Sequence, residues 1–263
     1  MLRSGLAGLS LCVAFGQTTT APPVFEVASV KSAPSPPVGA IGLFTYPGGR
    51  IVVSNYTLKN LIHDAYNVED YQILGGPRWV NDDRYNIEAK PPESSASSKW
   101  IPANFKTPPN AEIRQMLQTL LAERFQLKVH PETRKESVYA LVVAKGGPKL
   151  KAPTTEKQPF IGLGRVGARD KAAALSTLDG QNATMAQLAE RLAARVLRRK
   201  VLDQTGLQGN FDFRLEYAAD FAQSDAGESV FQALQEQLGL KLETQPGLND
   251  VLIIDSAEKP SGN

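Results

Sequence analysis

The densest group of chemically active side chains is a run of basic residues that starts at Arg191. Arg191, Arg195 and Arg198 are spaced four and three residues apart, which places their side chains on one face of a helix. Such a face fits an anionic surface or an acidic partner. The simpler interpretation is a solvated face, because the helix dipole favours cations near a helix C-terminus. The three arginines are therefore candidate partner-binding residues, with the solvated face as the alternative.

A second cluster combines an aromatic ring with charged groups. Trp79 closely precedes Asp82, Asp83 and Arg84, and tryptophan and arginine are residue types that often anchor interfaces. The cluster could bind a ligand or a partner. The competing interpretation is that it fixes a turn before a strand, with the arginine paired to a carboxylate. We treat Trp79 and Arg84 as further candidate partner-binding residues.

Sequence signals for catalysis, metals and cofactors are weak. The two histidines, His63 and His130, have no second histidine at ligand spacing, and zinc sites usually need three or four ligands. Residues 162–167 spell the dinucleotide fingerprint Gly-x-Gly-x-x-Gly. However, Pro159-Phe160-Ile161 is a poor strand, and no strand-helix-strand unit surrounds the match. No nucleophile-elbow serine motif occurs. We predict no catalytic, metal-binding or cofactor-binding residues.

The N-terminus predicts export. Arg3 precedes an uncharged, mostly apolar stretch at residues 5–16, which is the pattern of a signal peptide. We expect cleavage between Gly16 and Gln17, so that residues 1–16 are removed and the mature chain is periplasmic or secreted. The alternative is an uncleaved anchor, although the stretch is shorter than the ~20 apolar residues that a span needs.

Composition limits what the mature chain can do. The only cysteine, Cys12, lies inside the predicted signal peptide, so its removal leaves no disulfide, thiolate nucleophile or cysteine metal site. A net charge of +2 over 263 residues gives no field that would favour nucleic acid. No other apolar run is long enough to cross a bilayer. We therefore expect neither a nucleic-acid partner nor a membrane span in the mature chain.

Helical and strand patterns alternate along the chain. Apolar spacing predicts helices at 58–65, 111–125, 184–199 and 230–238. Strands are predicted at 25–31, in a hairpin across 44–54, and at 71–74, 85–89, 126–130, 137–143, 211–217, 240–242 and 251–255. A turn is predicted at 131–135, between two of these strands.

The two halves of this pattern match in order, which suggests a duplicated unit. Asn55-Tyr56-Thr57 and Asn182-Ala183-Thr184 each open a helix, and threonine at a helix start satisfies free backbone N–H groups. We prefer this capping role to the alternative that both triplets are glycosylation acceptors. The predicted fold is α+β, with duplicated helix-strand-strand units packing helices on mostly antiparallel sheets. The predicted segments are an N-terminal strand and hairpin at 17–54, repeats at 55–150 and 182–263, and a linker or excursion at 151–181.

Several motifs together resemble an uncharacterised exported bacterial family, catalogued as domain of unknown function 3738. They lie at residues 25–31, 57–66, 75–79, 83–89, 138–150, 203–213 and 258–261. The resemblance implies a bacterial, extracytoplasmic protein, and some members look fused to membrane metallopeptidases of the antibiotic-sensor type. It supplies no established activity and no catalytic residues. The helix-strand-strand units are also similar to the small N-terminal domains of secretins and TonB-dependent receptors, which implies protein–protein contact.

The leading functional hypothesis is a non-enzymatic module that binds another protein or an envelope component. An envelope protein or a membrane metallopeptidase is the partner that the resemblance favours. The alternatives are a hydrolase acting on cell-envelope polymers and a small-ligand sensor domain. A deep cleft with close carboxylates of raised pKa would favour the hydrolase, and a flat apolar or basic patch would favour the binding module.

Overall fold

Strands and helices alternate in the computed structural model, which describes residues 21–34, 37–154, 158–166, 175–218 and 229–261. The strands are β1 Val27–Ser32, β2 Gly42–Thr45, β3 Ile51–Thr57, β4 Ile73–Gly75, β5 Arg84–Lys90, β6 Lys128–Val143, β7 Phe160–Val166, β8 Leu175–Ala183, β9 Val201–Asp203, β10 Phe211–Ala218 and β11 Leu240–Ser256. The helices are α1 Leu58–Tyr66, α2 Trp79–Asp82, α3 Ala111–Arg124, α4 Met185–Leu192 and α5 Val230–Ala233. The predicted signal peptide at 1–16 lies outside the described residues.

Three sheets organise these elements. The first has the strand order β1-β5-β3-β2, the second has the order β10-β8-β7, and the third has the order β4-β11-β6-β9. The first two sheets are antiparallel throughout. Helices cover one core in each half, so the α+β class is confirmed. The duplication of the two halves stays a prediction.

Each half has a separate hydrophobic core. In the first core, α1 and α3 bury the faces that their apolar spacing predicted, including Leu61 and Leu117. In the second core, α4 buries Met185, Leu188 and Leu192. These helices form because their apolar residues recur every three or four positions and so make one continuous buried stripe.

A long two-stranded ribbon, β6 with β11, joins the two cores. Its register runs without a break from Leu240↔Val143 to Ile254↔Val129. At one end, Leu252 and Ile254 enter the first core, and at the other end Leu141 and Leu240 enter the second. The turn predicted at 131–135 is therefore wrong. Those polar residues are extended because they pair across the ribbon with a segment more than a hundred positions away, which a local pattern does not reveal.

Both helix-opening triplets use the same local geometry. The Thr57 and Thr184 hydroxyls accept hydrogen bonds from the backbone N–H three residues later, and both form capping boxes. The predicted capping role is thus confirmed. Both asparagines have positive φ, 54° at Asn55 and 49° at Asn182. A side chain of the neighbouring strand accepts the backbone N–H of each, at 2.9 Å for Asn55 and 2.8 Å for Asn182.

The segment at 151–181, expected to be a linker or an excursion, contains strands. Within it, Phe160–Val166 forms β7, and β8 begins at Leu175. These strands pair with each other from Phe160↔Gln181 to Val166↔Leu175, and β8 also pairs with β10. Glycines dilute the apolar alternation of this segment, so its strand character follows from the neighbouring strands and not from its own pattern.

Candidate functional site

Residues of both halves, including several of α4 and β7, line a concave site of about 270 Å³. We call it the arginine groove. It combines one residue of the first half, Glu69, with residues of the second half. Its lining residues are Glu69, Pro159, Phe160, Ile161, Gln187, Glu190, Arg191, Ala194 and Arg195.

The sequence of α4 explains why its polar side faces this groove. The Thr184 hydroxyl accepts from the Gln187 backbone N–H at 3.2 Å, and the Gln187 side chain accepts from the Thr184 N–H at 2.9 Å. This capping box fixes the start of the helix. The apolar stripe then packs into the core, so the residues between its members, Gln187, Arg191 and Ala194, are turned towards the groove.

Arg191 and Arg195 are the notable chemical groups of the groove. Within the described ranges, neither guanidinium forms a hydrogen bond or an ion pair. The positive charge of Arg195 acts on Tyr56 of the first half and lowers the pKa of that tyrosine. Burial and the nearby Asp64 carboxylate outweigh it and raise that pKa to about 12. Two unpaired guanidinium groups in one concavity favour an anionic ligand group, above all a carboxylate.

Arg198 does not line the groove with Arg191 and Arg195, whereas the sequence predicted that all three share one helix face. After Leu192 the helix continues as a π-helical turn at Ala193–Leu197, and Arg198 itself has a left-handed φ of 47°. The spacing of three residues that would place Arg198 beside Arg195 therefore no longer holds at the end of this π-helical turn. The Arg198 guanidinium instead lies 3.3 Å from Asp70 Oδ2, where it links the two halves.

One family matches this chain. The model of the family described as "Protein of unknown function (DUF3738)" matches residues 59–257. The chain belongs to the DUF3738 family. The family expected from the sequence motifs is thus confirmed, and the match spans both walls of the arginine groove. No curated protein and no solved structure matches the chain.

The other two candidate residues of this DUF3738 chain lie outside the groove. Trp79 packs against the first core, with the Lys259 ammonium 5.9 Å from its ring centroid. The Arg84 guanidinium donates to the backbone carbonyl of Asn55 at 2.7 Å and so holds the positive-φ turn before α1. The carboxylate partner expected for Arg84 is absent from its described contacts, since Asp83 pairs with Lys259 at 2.6 Å.

A second cavity, of about 330 Å³, shares Glu69 and Glu190 with the arginine groove. His63 lines it, with its Nδ1 atom 3.0 Å from Asp64 Oδ1 and its Nε2 atom 3.7 Å from Glu69 Oε2. The hydrogen bond to Asp64 raises the pKa of His63, although burial opposes it. Sequence reasoning did not place His63 in this second cavity.

The described residues offer little that is typical of a catalytic centre. Arg134 lowers the pKa of the Glu132 carboxyl by donating to it, and Thr154 and Asn182 do the same for Asp212. Lowered values are the opposite of what a general acid needs. Across the described ranges, no group of three or more His, Cys, Asp or Glu side chains has a metal-binding arrangement. In those same ranges, no helix has the length and apolarity to span a membrane.

The glycine fingerprint has a structural position that differs from a nucleotide-binding loop. Gly162 and Gly164 lie inside β7, whereas Gly167 lies outside the described residues. A phosphate-binding fingerprint needs a loop that opens a helix. Because its first half is an extended strand, the motif does not supply that loop.

Sequence reasoning found the two groove arginines but missed other residues that line the groove. Glu69 comes from a turn in the other half, and Phe160 comes from a segment that was expected to be a linker or an excursion. The signal available for Phe160 was an apolar residue in a glycine-rich segment. Phe160 can be recognised as a site residue only once the fold has placed β7 beside α4.

Proposed function

We propose that this DUF3738 chain is a non-enzymatic module that binds a protein partner outside the cytoplasm. The arginine groove is its binding site, and a carboxylate of the partner lies between Arg191 and Arg195. The observation that carries the proposal is this pair of guanidinium groups, which have no hydrogen-bond or ion-pair partner among the described residues and share one concavity. An envelope protein or a membrane metallopeptidase fits this role.

Arginine suits this task because its planar guanidinium donates two parallel hydrogen bonds to a carboxylate. Arg191 is half-buried whereas Arg195 is exposed, so water weakens a charge-assisted bond from Arg191 less than one from Arg195. Phe160 and Ile161 supply apolar surface beside the two cations. An aromatic or aliphatic contact next to a charged anchor is typical of residues that dominate protein interfaces.

Glu69 and Glu190 line the same groove and restrict the partner. Their charges balance those of the two arginines, so a strongly acidic surface gains little net attraction. A single carboxylate aimed at the arginines, with neutral or basic groups near the glutamates, fits best. Charge complementarity of this kind contributes mainly specificity and a faster association rate.

A small-ligand sensor is a second candidate, favoured by one observation. The cavity beside His63 has about 330 Å³ and combines Tyr71 with Asp64, Glu69 and Glu190. This volume lies at the low end of known small-molecule sites, which run from roughly 300 Å³ upwards. The three carboxylates outnumber the Arg114 guanidinium in the same lining, so a ligand with a cationic group would fit them. No arrangement in the described residues gives comparable support to the hydrolase hypothesis.

The test is capture from native envelope extract with the protein expressed from its full sequence. The groove variant carries Arg191→Glu and Arg195→Glu. The matched control carries Arg78→Glu and Lys128→Glu, two exposed cations outside the groove, so both variants have the same net charge. We expect a partner that binds wild type and control but not the groove variant.

Two results would contradict the proposal. A partner retained equally by the groove variant places the interface elsewhere. Capture of nothing by the wild-type protein removes the support for a binding module, and calorimetric screening of small cationic ligands against the His63 cavity would then test the sensor candidate.

A further inference from the structure

Strand β7 forms one edge of the second sheet. Its inner edge pairs with β8 along its whole length, from Phe160↔Gln181 to Val166↔Leu175. In the described part of the chain, no strand pairs with its outer edge. Alternate backbone N–H and C=O groups of an edge strand point outwards and can pair with another chain.

This edge has few of the features that usually prevent such pairing. Edge strands are commonly very short, bulged, interrupted by proline or charged. In contrast, β7 has seven residues and a register without a shift. Arg165 is its only charged residue. Phe160 and Leu163 are 59% and 49% exposed, so the edge carries apolar side chains at the solvent boundary.

The two glycines within β7 leave room for neighbouring side chains. A Cβ atom at Gly162 would lie 2.8 Å from the Phe160 ring, and one at Gly164 would lie 2.7 Å from the Thr177 hydroxyl. Both distances are too short for ordinary packing. The Gly-x-Gly spacing, which gave the dinucleotide match, thus has a packing reason in an edge strand.

The start of this edge opens into the arginine groove. Pro159, Phe160 and Ile161 line this groove together with Arg191 of α4 and Arg195 of the π-helical turn that follows it. A segment that follows the edge of β7 would therefore bring one of its carboxylates to the guanidinium groups. A groove between an edge strand and a helix is a recurrent geometry for peptides that bind by strand addition.

From these observations, we infer that the partner contributes an extended peptide segment that adds as a fourth strand to the outer edge of β7. A carboxylate of that segment, from a side chain or from its C-terminus, lies at Arg191 and Arg195. The inference rests on the proposed function and specifies the form of the ligand. Main-chain hydrogen bonds to β7 provide affinity with little dependence on sequence, and the arginines fix the register.

A second copy of this chain fits the edge less well. Pairing of β7 with another β7 would bring Arg165 but no carboxylate, because β7 contains neither Asp nor Glu. The guanidinium groups of both copies would then stay without an anionic partner. The occupant is therefore an acidic extended peptide and not a second β7.

The first experiment is a selection of displayed random dodecapeptides with free C-termini on the wild-type protein. The enriched peptides are expected to carry a carboxylate at one fixed position. Their affinity should fall at least about tenfold for the groove variant and stay unchanged for the control variant defined above. Amidating the C-terminus of each peptide distinguishes a terminal carboxylate from a side-chain carboxylate.

The second experiment tests strand addition itself by hydrogen exchange and peptide N-methylation. Bound peptide should slow exchange at alternate amides between residues 160 and 166, by roughly tenfold or more. Methylating alternate peptide nitrogens along one edge should abolish binding, whereas methylating the other set should leave it intact. This alternation is expected because adjacent strand residues point their N–H groups in opposite directions.

The outcomes separate the two proposals. Peptide binding that is lost in the groove variant, but that does not protect the β7 amides of the wild-type protein, would support the groove as the binding site and overturn strand addition. Peptides whose binding ignores the arginine changes would overturn the groove. A library that yields no binder would overturn the inference, and protection of β7 that grows with protein concentration alone would identify a second copy as the occupant.

Discussion

Replacing Leu188 by alanine tests whether the ribbon makes the two cores unfold together. Leu188 is fully buried in the second core, and removing a buried leucine side chain costs about 2–5 kcal/mol. For a domain of this size, each kcal/mol lowers Tm by ~2–4 °C, so the expected decrease is roughly 4–20 °C. The change is confined to α4, far along the chain from the first core.

The two tryptophans provide a reporter of the other half. Trp79 packs on the first core, and Trp100 follows a short 3-10 helix at Ala96–Lys99 in the same half. Tryptophan fluorescence therefore follows unfolding of the first half, whereas far-UV circular dichroism follows both halves. Because β6 and β11 place side chains in both cores, we expect Leu188→Ala to lower the transition temperature equally in both signals.

Independent unfolding would refute this reasoning. In that case the fluorescence transition would stay at the wild-type temperature while part of the dichroism signal moved down. Leu61→Ala, in the first core, is the reciprocal variant and should shift both signals as well. Leu248→Ala is the matched control, since Leu248 is 62% exposed on the ribbon and a surface change of this kind usually stays within ~0.5 kcal/mol.

Three further predictions concern the caps, His63 and Arg84. The variants Thr57→Ala and Thr184→Ala should each lower the free energy of unfolding by ~1 kcal/mol. Their effects should add in urea titrations, because the two caps lie in different cores. A strongly non-additive double variant would contradict this. Folding raises the pKa of His63, so protonated His63 stabilises the folded state. This stabilisation is complete below the pKa of about 6.5 that histidine has in the unfolded chain. It is lost as the pH rises through the raised pKa of the folded state. The Tm difference between wild type and His63→Gln should accordingly be larger at pH 5.5 than at pH 8.5, and a constant difference would count against it. The variant Arg84→Ala should lower the free energy of unfolding by ~1–3 kcal/mol, because a backbone carbonyl loses its donor. In the same urea titrations, Arg78→Ala should be nearly neutral, since the Arg78 side chain is 95% exposed. Equal effects of the two variants would argue against a structural role for Arg84.

Local patterns predicted the regular elements well. The helix faces of α1, α3 and α4 follow from apolar spacing, and the threonine caps follow from residue type at a helix start. The strand β10 follows from its alternation. Each of these signals lies within a short segment, so no knowledge of distant partners is needed.

The candidate site was predicted only in part. Arg191 and Arg195 stand out because basic residues recur at helical spacing, but the same argument included Arg198, which the π-helical turn separates from them. Glu69 could not be found, because its position beside α4 depends on how the two halves meet. The role of Arg84 was misjudged for a similar reason, since its partner is a backbone carbonyl and a sequence shows no backbone contacts.

The sequence alone determined α1, α3 and the first part of the α4 helix, the threonine caps, the class of fold and the family, because these depend on residue type and short spacing. Only the tertiary structure decided the ribbon, the edge position of β7 and the walls of the arginine groove. The ribbon pairs Thr133 with Asp250 and Lys135 with Leu248, polar stretches that have no strand pattern of their own. Pairing between distant strands is chosen by packing and hydrogen bonding across the whole chain, so the geometry of the site appears only once the chain is folded.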